Sequence, residues 1–399
     1  MRVLFVVGNA GHHAAIAAPV ARELASTGAH VEVLSVAELR ALPSPASAFP
    51  GARTWPLVPG GLRRRVPASL TGAAPTSTGR AIKRAVRALA WATLLRARTS
   101  YVLARARPDV VAVMNDVAFP YDAVCAAARR CHIPVVLLQE GVRFPLPTEE
   151  RTHTPYGATE LAAVCVWGER SAAHFRAVAD GARVEVTGNP RYDTVDVERT
   201  RAEGRALRDR LGLTGRLVGF LSNPIDDQGF CTTDEKLALF ERFLAAAAPA
   251  LNDYGATVVV KLHPREHAPA FAEVAQRSPA KVVMAADAPI LPLLSTLDAG
   301  LVLTSTVGLE AMLFDVAIGA LEIPRAGHVF DYVASGAALP LHADDRAKFE
   351  VGKLLNGFAA ESSATRARYV DGHLAHRGQA AQRMAAVLRT VARGTNRGT

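Results

Sequence analysis

The chain has 399 residues, is 50% hydrophobic and 21% charged, and carries a formal net charge of +9. At roughly 100–200 residues per domain this length predicts two domains, and the balanced composition excludes a globally disordered chain. No apolar run approaches the ~18 residues that a membrane-spanning helix needs, which excludes an integral helical membrane protein.

Short β-branched runs alternate with helical stretches throughout, the pattern of parallel α/β sheets. The first run, MRVLFVV, holds one strand (3–7) and enters a glycine turn with no cleavage pattern after it, so it reads as a strand and not as a secretion signal. The loop Gly8-Asn9-Ala10-Gly11-His12-His13 then opens a helix predicted over 14–27. Such a loop offers backbone N–H groups and a positive helix end to an anionic or hydroxyl-rich ligand. It is not the G-x-G-x-x-G of dinucleotide sites, and no acidic residue follows at the ribose position. His12 and His13 stand at the helix start as candidate bases or substrate contacts; ordinary surface histidines are the bland alternative.

A strand at 30–35 leads into 43–77, which is rich in Pro, Gly and Ser, lacks periodicity, and reads as a long loop or mobile insertion. Between Glu38 and Asp109 there is no acidic residue but there are thirteen arginines and lysines, so this one block holds the excess charge and faces something anionic. Within it, 79–107 has helical spacing, with Arg80, Lys83, Arg84 and Arg87 on one face that Trp91, Leu94 and Leu95 continue. A cationic stripe passing into Trp and Leu predicts peripheral contact with an anionic membrane; a solvated helix is the alternative. No zinc-finger, helix-turn-helix or RNA-binding signature accompanies it, so no nucleic-acid partner is expected.

Strands are further predicted at 110–114, 135–138, 163–167 and 183–187, and a boundary near 194–200, before a helix at 201–211. The first domain is then 1–194, with 43–107 as a basic loop-and-helix insertion. The second is 195–399, with strands at 217–222, 257–262, 281–284, 300–304 and 316–321, an alanine-rich terminal helix at 374–391, and a frayed end at 394–399. Cys125, Cys131, Cys165 and Cys231 have neither disulfide nor metal-ligand spacing and read as buried thiols of a cytosolic protein.

Two elements of the second domain carry chemistry. Lys261-Leu262-His263-Pro264-Arg265-Glu266 follows a strand, and a residue before proline is held extended, so His263 projects at the C-terminal edge where open α/β sheets bind ligands. Thr304-Ser305-Thr306-Val307-Gly308-Leu309-Glu310 also leaves a strand and opens a helix. Its hydroxyls and free N–H groups suit phosphate, and Glu310 suits a ribose or sugar diol; simple capping of the helix is the alternative.

Together with Gly188-Asn189-Pro190-Arg191-Tyr192-Asp193, these give the trio VTGNPRYD, KLHPRE and TSTVGLEAMLFD, which resembles the GT-B superfamily of nucleotide-sugar enzymes. Within it the chain looks similar to the capsule-polysaccharide and CDP-glycerol glycerophosphotransferase branch, with UDP-N-acetylglucosamine 2-epimerase as a neighbour. The resemblance implies two Rossmann-like domains facing across a cleft, with the donor nucleotide held mainly by the C-terminal one. It implies His263, Ser305 and Thr306 at the donor phosphates, Glu310 at the ribose, Arg265 and Ser222 in the same donor set, and Asn189 and Arg191 at a hinge. The branch often has Gln-His-Gly after an acceptor-side strand; here Gln139-Glu140-Gly141-Val142-Arg143 puts a carboxylate in the histidine's place. The Gly-Thr-Arg-Pro-Glu opening typical of the epimerases is also absent.

Attack of a hydroxyl on an activated sugar needs a base for the acceptor and charge stabilisation for the departing diphosphate. Glu140, His12 and His13 are the candidate bases. No Asp-x-Asp motif is present, and Asp226-Asp227 and Asp344-Asp345 are adjacent pairs in polar loops, so no metal and no cofactor is expected. The reading is a glycosyltransferase that moves a sugar from a nucleotide-activated donor to a cell-surface glycan or lipid-linked acceptor. It would be cytoplasmic and peripheral at the inner face of the plasma membrane. The alternatives are a CDP-glycerol-type polyol-phosphate transferase and an epimerase-like isomerase or hydrolase.

Overall fold

The structure is a computed structural model that describes residues 1–65, 78–142, 154–179 and 181–395, the side chains of 63–65, 78–88 and 395 excepted. The chain forms two compact units, one of Met1–Val142, Thr154–Thr194 and the stretch from His373 onward, the other of Val195–Gly372.

In unit 1 the strands are β1 (Arg2–Val7), β2 (His30–Ser35), β3 (Arg53–Pro56), β4 (Val110–Val113), β5 (Val135–Leu138), β6 (Ala163–Val166) and β7 (Arg183–Val186). They form one parallel sheet in the order β3-β2-β1-β4-β5-β6-β7. The helices are α1 (His12–Ser26), α2 (Thr78–Ala106), α3 (Tyr121–Arg130) and α4 (Glu169–Val178). Helices cover both faces, which is why β4, β5 and β6 read as continuous apolar runs and not as alternation. The strand order reverses between β1 and β4, so the loops after these strands diverge and leave a crevice at their C-terminal ends.

Unit 2 repeats the plan with β8 (Arg216–Leu221), β9 (Ala256–Lys261), β10 (Val282–Met284), β11 (Ala299–Val302), β12 (Ala317–Leu321) and β13 (Ala338–Leu341), in the order β10-β9-β8-β11-β12-β13. Its helices are α5 (Val197–Arg210), α6 (Thr233–Asp253), α7 (Ala268–Arg277), α8 (Ile290–Leu294), α9 (Val307–Met312), α10 (Ala347–Leu355) and α11 (Phe358–His373). A capping box starts α6, with the Thr232 hydroxyl accepting from Glu235 N–H (3.2 Å) and the Glu235 carboxylate accepting from Thr232 N–H (2.8 Å). The switch point here lies between β8 and β11.

Four expectations change, the burial of all four cysteines among them. The segment 43–107 is not an insertion: it contains edge strand β3 and the crossover helix α2 that leads to β4, while 66–77 lies outside the described residues. On α2, Trp91, Leu95, Val102 and Leu103 are buried in the unit's core, so Trp91 and Leu95 face the protein and not a headgroup layer. The side chains of Arg80, Lys83, Arg84 and Arg87, and all of Arg143, lie outside the described residues.

The terminal helix α12 (Ala380–Thr395) packs on α1 in unit 1, not in the second domain. Asp193 holds its start: Oδ1 accepts from the N–H groups of Gly378 and Ala380 (both 3.0 Å) and Oδ2 from Ala381 (2.7 Å). Gly188 has φ +88°, and a Cβ there would collide with the Ala375 carbonyl oxygen, so the returning chain requires glycine at that point. Of the cysteines, Cys125 and Cys165 are buried, Cys231 is half-buried and Cys131 is exposed. Among the described residues no helix is long and apolar enough to cross a membrane.

Candidate active site

At the switch point of unit 1, three strand-end loops converge. His12 and His13 follow β1, Asn115 follows β4 and Glu140 follows β5. Glu140 Oε2 accepts from His13 Nε2 at 2.7 Å and Oε1 from Asn115 Nδ2 at 2.9 Å. His13 Nδ1 accepts from Gly8 N–H (3.1 Å) and meets the Tyr121 hydroxyl at 3.2 Å, which assigns the ring hydrogen to Nε2. Gly8 is required by this packing, because a Cβ would collide with the Tyr121 hydroxyl and press on the His13 ring.

The carboxyl of Glu140 is pushed up by burial, but the hydrogen bonds of His13 and Asn115 outweigh this and hold it below the usual range. Both oxygens are therefore engaged and the group is an ionised anchor. The Glu140 backbone plays a separate part: its carbonyl meets His12 Nε2 in a short hydrogen bond, and its N–H donates to Tyr156 Oη (3.3 Å).

His12 is half-buried and in T-shaped contact with Trp167, the ring centroids 6.5 Å apart. Burial lowers its pKa to about 4, against the partial compensation of the Glu140 carbonyl and helped by the nearby Arg191 cation. With Nε2–H on the carbonyl, Nδ1 carries the lone pair and accepts from Arg191 Nη1 at 3.4 Å. Burial is thus the leading cause that keeps His12 neutral near pH 7.

Gln139 explains the rest of the Gln-Glu-Gly element. Its buried amide accepts from Trp167 N–H (2.8 Å) and donates to the Gly141 carbonyl (2.7 Å) and Ser171 Oγ (2.9 Å), knitting the ends of β5 and β6 together. Asn189 Oδ1 accepts from Arg191 N–H (3.0 Å) and so sets the turn that places Arg191 beside His12.

In unit 2, Ser222 follows β8, His263 and Arg265 follow β9, and Ser305, Thr306 and Glu310 follow β11, all at the C-terminal edge. His263 Nδ1 accepts from Arg265 N–H at 3.2 Å, which leaves Nε2–H to donate. Burial and then the Arg265 charge lower its pKa, so the ring is neutral near pH 7. Arg265 is exposed and pairs with Asp227 (3.2 Å). Ser305 Oγ accepts from Val307 N–H (3.2 Å), and Tyr332 Oη ties the loop by donating to the Ser305 carbonyl (2.8 Å) and accepting from Leu309 N–H (3.0 Å). Thr306 is half-buried and Glu310 is buried.

Sequence reasoning passed over the hub of this edge. Glu266 Oε2 accepts from His263 N–H (2.7 Å), and Oε1 from Ser222 Oγ–H (2.6 Å) and Lys236 Nζ (3.1 Å). Lys236, only 2% exposed, also pairs with Asp226 at 2.6 Å. The sole signal for Glu266 was its place at the end of KLHPRE. Among the described residues no three His, Cys, Asp or Glu side chains converge as metal ligands.

The whole chain aligns with solved structures. The UDP-GlcNAc 2-epimerase of Neisseria meningitidis, bound to UDP-GlcNAc, has a TM-score of 0.62 at 14% identity, covering 98% of this chain and 99% of that one. The Methanocaldococcus jannaschii UDP-GlcNAc 2-epimerase, in complex with UDP-GlcNAc and UDP, has a TM-score of 0.59 at 13% identity, covering 98% and 100%. The calicheamicin glycosyltransferase CalG4 has a TM-score of 0.59 at 15% identity, covering 98% of each chain. This is the GT-B fold. No family model matches the sequence, and no curated protein matches it significantly.

Proposed function

We propose that the protein is a nucleotide-sugar enzyme of the transferase type, and that His12 is its base. The observation that carries this reading is the state of His12: neutral, oriented through Nε2 by the Glu140 carbonyl, with an in-plane lone pair on Nδ1 at the switch point of unit 1. In the proposed step an acceptor hydroxyl takes the place of the long Arg191 contact at Nδ1 and gives its proton there as its oxygen bonds to the anomeric carbon. The bond from that carbon to the donor diphosphate breaks, and the electron pair leaves with the diphosphate.

Unit 2 is the proposed donor side. There His263 Nε2–H and the Ser305 and Thr306 hydroxyls meet the diphosphate, Arg265 adds positive charge, and Glu310 takes the ribose. Glu140, with both carboxylate oxygens engaged, acts as a positioning residue. The chemistry needs no metal. The acceptor is a cell-surface glycan or lipid-linked group, reached from the cytoplasmic side of the membrane.

Single-turnover assays on a panel of nucleotide sugars and CDP-glycerol test this. His12→Gln is expected to lower the chemical step a hundredfold or more, the range for loss of a general base, and to exceed the loss in Glu140→Gln. The reverse ranking returns the base to Glu140. A second reading, nucleotide-sugar epimerisation, is favoured by the full-length likeness to two UDP-GlcNAc 2-epimerases. It predicts a 2-epimer or free UDP from UDP-GlcNAc without any acceptor, which NMR of the reaction distinguishes from transfer.

A further inference from the structure

We propose that the outward face of α2 is the surface that seats this chain on an anionic lipid bilayer. This deepens the lipid-linked acceptor reading, but moves the contact away from the face that the sequence pattern pointed to. Among the described residues seven large hydrophobic side chains are exposed, and three of them, Leu89 (64%), Leu94 (40%) and Tyr101 (49%), lie on this one helix.

At 100° per residue Leu94 and Tyr101 lie about 20° apart and Leu89 about 120–140° round from them, all three within the half of the helix turned away from the buried Trp91, Leu95, Thr99 and Val102. Only small or uncharged residues lie between them. Exposed Arg96 sits at one margin of this strip and exposed Arg105 at the other. Arg98 reaches over the Tyr101 ring at 5.1 Å, adding a cation beside the aromatic.

An apolar strip between arginine margins matches the layering of a bilayer interface. Leucine and tyrosine enter the boundary of headgroup and acyl chain, and guanidinium groups meet lipid phosphates. The charge argument selects the occupant. From residue 39 to residue 108 every charged side chain is basic, which suits an extended surface of uniform negative charge. A nucleic-acid groove offers no place for the leucines, and a protein partner of mixed charge would leave much of the basic block unmatched.

The test is co-sedimentation of the full chain with vesicles of phosphatidylcholine alone and of phosphatidylcholine mixed with phosphatidylglycerol, at low and high salt. The expected result is binding to the mixed vesicles only, weakened by salt. The double variant Leu89→Glu, Leu94→Glu changes exposed positions, so its fold is expected to match wild type by circular dichroism and thermal melting, while vesicle affinity falls at least tenfold. Absence of wild-type binding to anionic vesicles overturns the proposal, as does undiminished binding by the double variant. Sedimentation velocity adds a third outcome: a wild-type dimer that this variant dissociates makes the face a self-association surface and also overturns it. None of these readouts uses catalysis, so their failure is separate from failure of the nucleotide-sugar reading.

Discussion

His12 and Glu140 show how environment divides two candidate bases. Each is drawn from water, but Glu140 receives two side-chain donors while His12 receives a carbonyl and a neighbouring cation. The outcome is an ionised carboxylate beside a neutral imidazole. Because the folded-state pKa of His12 is about 4, the unfolded chain binds the extra proton between pH 6.5 and 4, so stability falls as pH drops through that window. His12→Gln retains an N–H for the Glu140 carbonyl and removes the titration. Urea unfolding at neutral pH and below pH 4 is expected to show the variant losing less stability on acidification, by about 3 kcal/mol. The same value places the acid limb of kcat/KM for the free enzyme near pH 4 if His12 is the base. A limb near 6.5 argues against it. In unit 2, His263→Ala removes a donor to the diphosphate and is expected to lower turnover on the true donor at least tenfold, a loss of more than about 1.4 kcal/mol, with the melting temperature unchanged in the absence of ligand.

At the scale of elements, the terminal helix depends on one side chain far away in sequence. Asp193 accepts three backbone N–H groups at the start of α12. Asp193→Ala is expected to cost about 2 kcal/mol, above an ordinary cap because three donors lose their acceptor at once. Hydrogen exchange should localise the loosening to 378–395. The helix was legible in the alanine-rich pattern, but its destination was not, since amphipathicity reports that a face is buried and not what covers it. Edge strands β3 and β13 escaped sequence reading for a related reason. Each has four residues and contains a proline (Pro56 and Pro340), a combination tolerated at a sheet edge and weak as a pattern. On α2 the basic residues suggested which side faced out, yet Trp91 and Leu95 fill the core.

For the whole molecule, ligand linkage offers a test independent of turnover. UDP at a hundredfold above its dissociation constant is expected to stabilise the protein by about 2.7 kcal/mol. The resulting rise in melting temperature should shrink in His263→Ala; no nucleotide giving any shift would count against a donor site in unit 2. The sequence alone determined the alternation of strands and helices, the placement of eleven of the thirteen strands among the described residues, and the fold class, because buried parallel strands must be apolar runs and the loops between them must turn. It also placed His12, His13, Glu140, His263 and the Thr304–Glu310 segment at strand ends, where periodicity breaks. Tertiary structure alone decided which of these meet. The pairing of His13 with Glu140 spans 127 residues and that of Arg191 with His12 spans 179. Glu266 became a hub only when β8, β9 and α6 packed together around it. Such partnerships follow from strand order and from the burial of polar groups that must find each other away from water, and neither is written in local spacing.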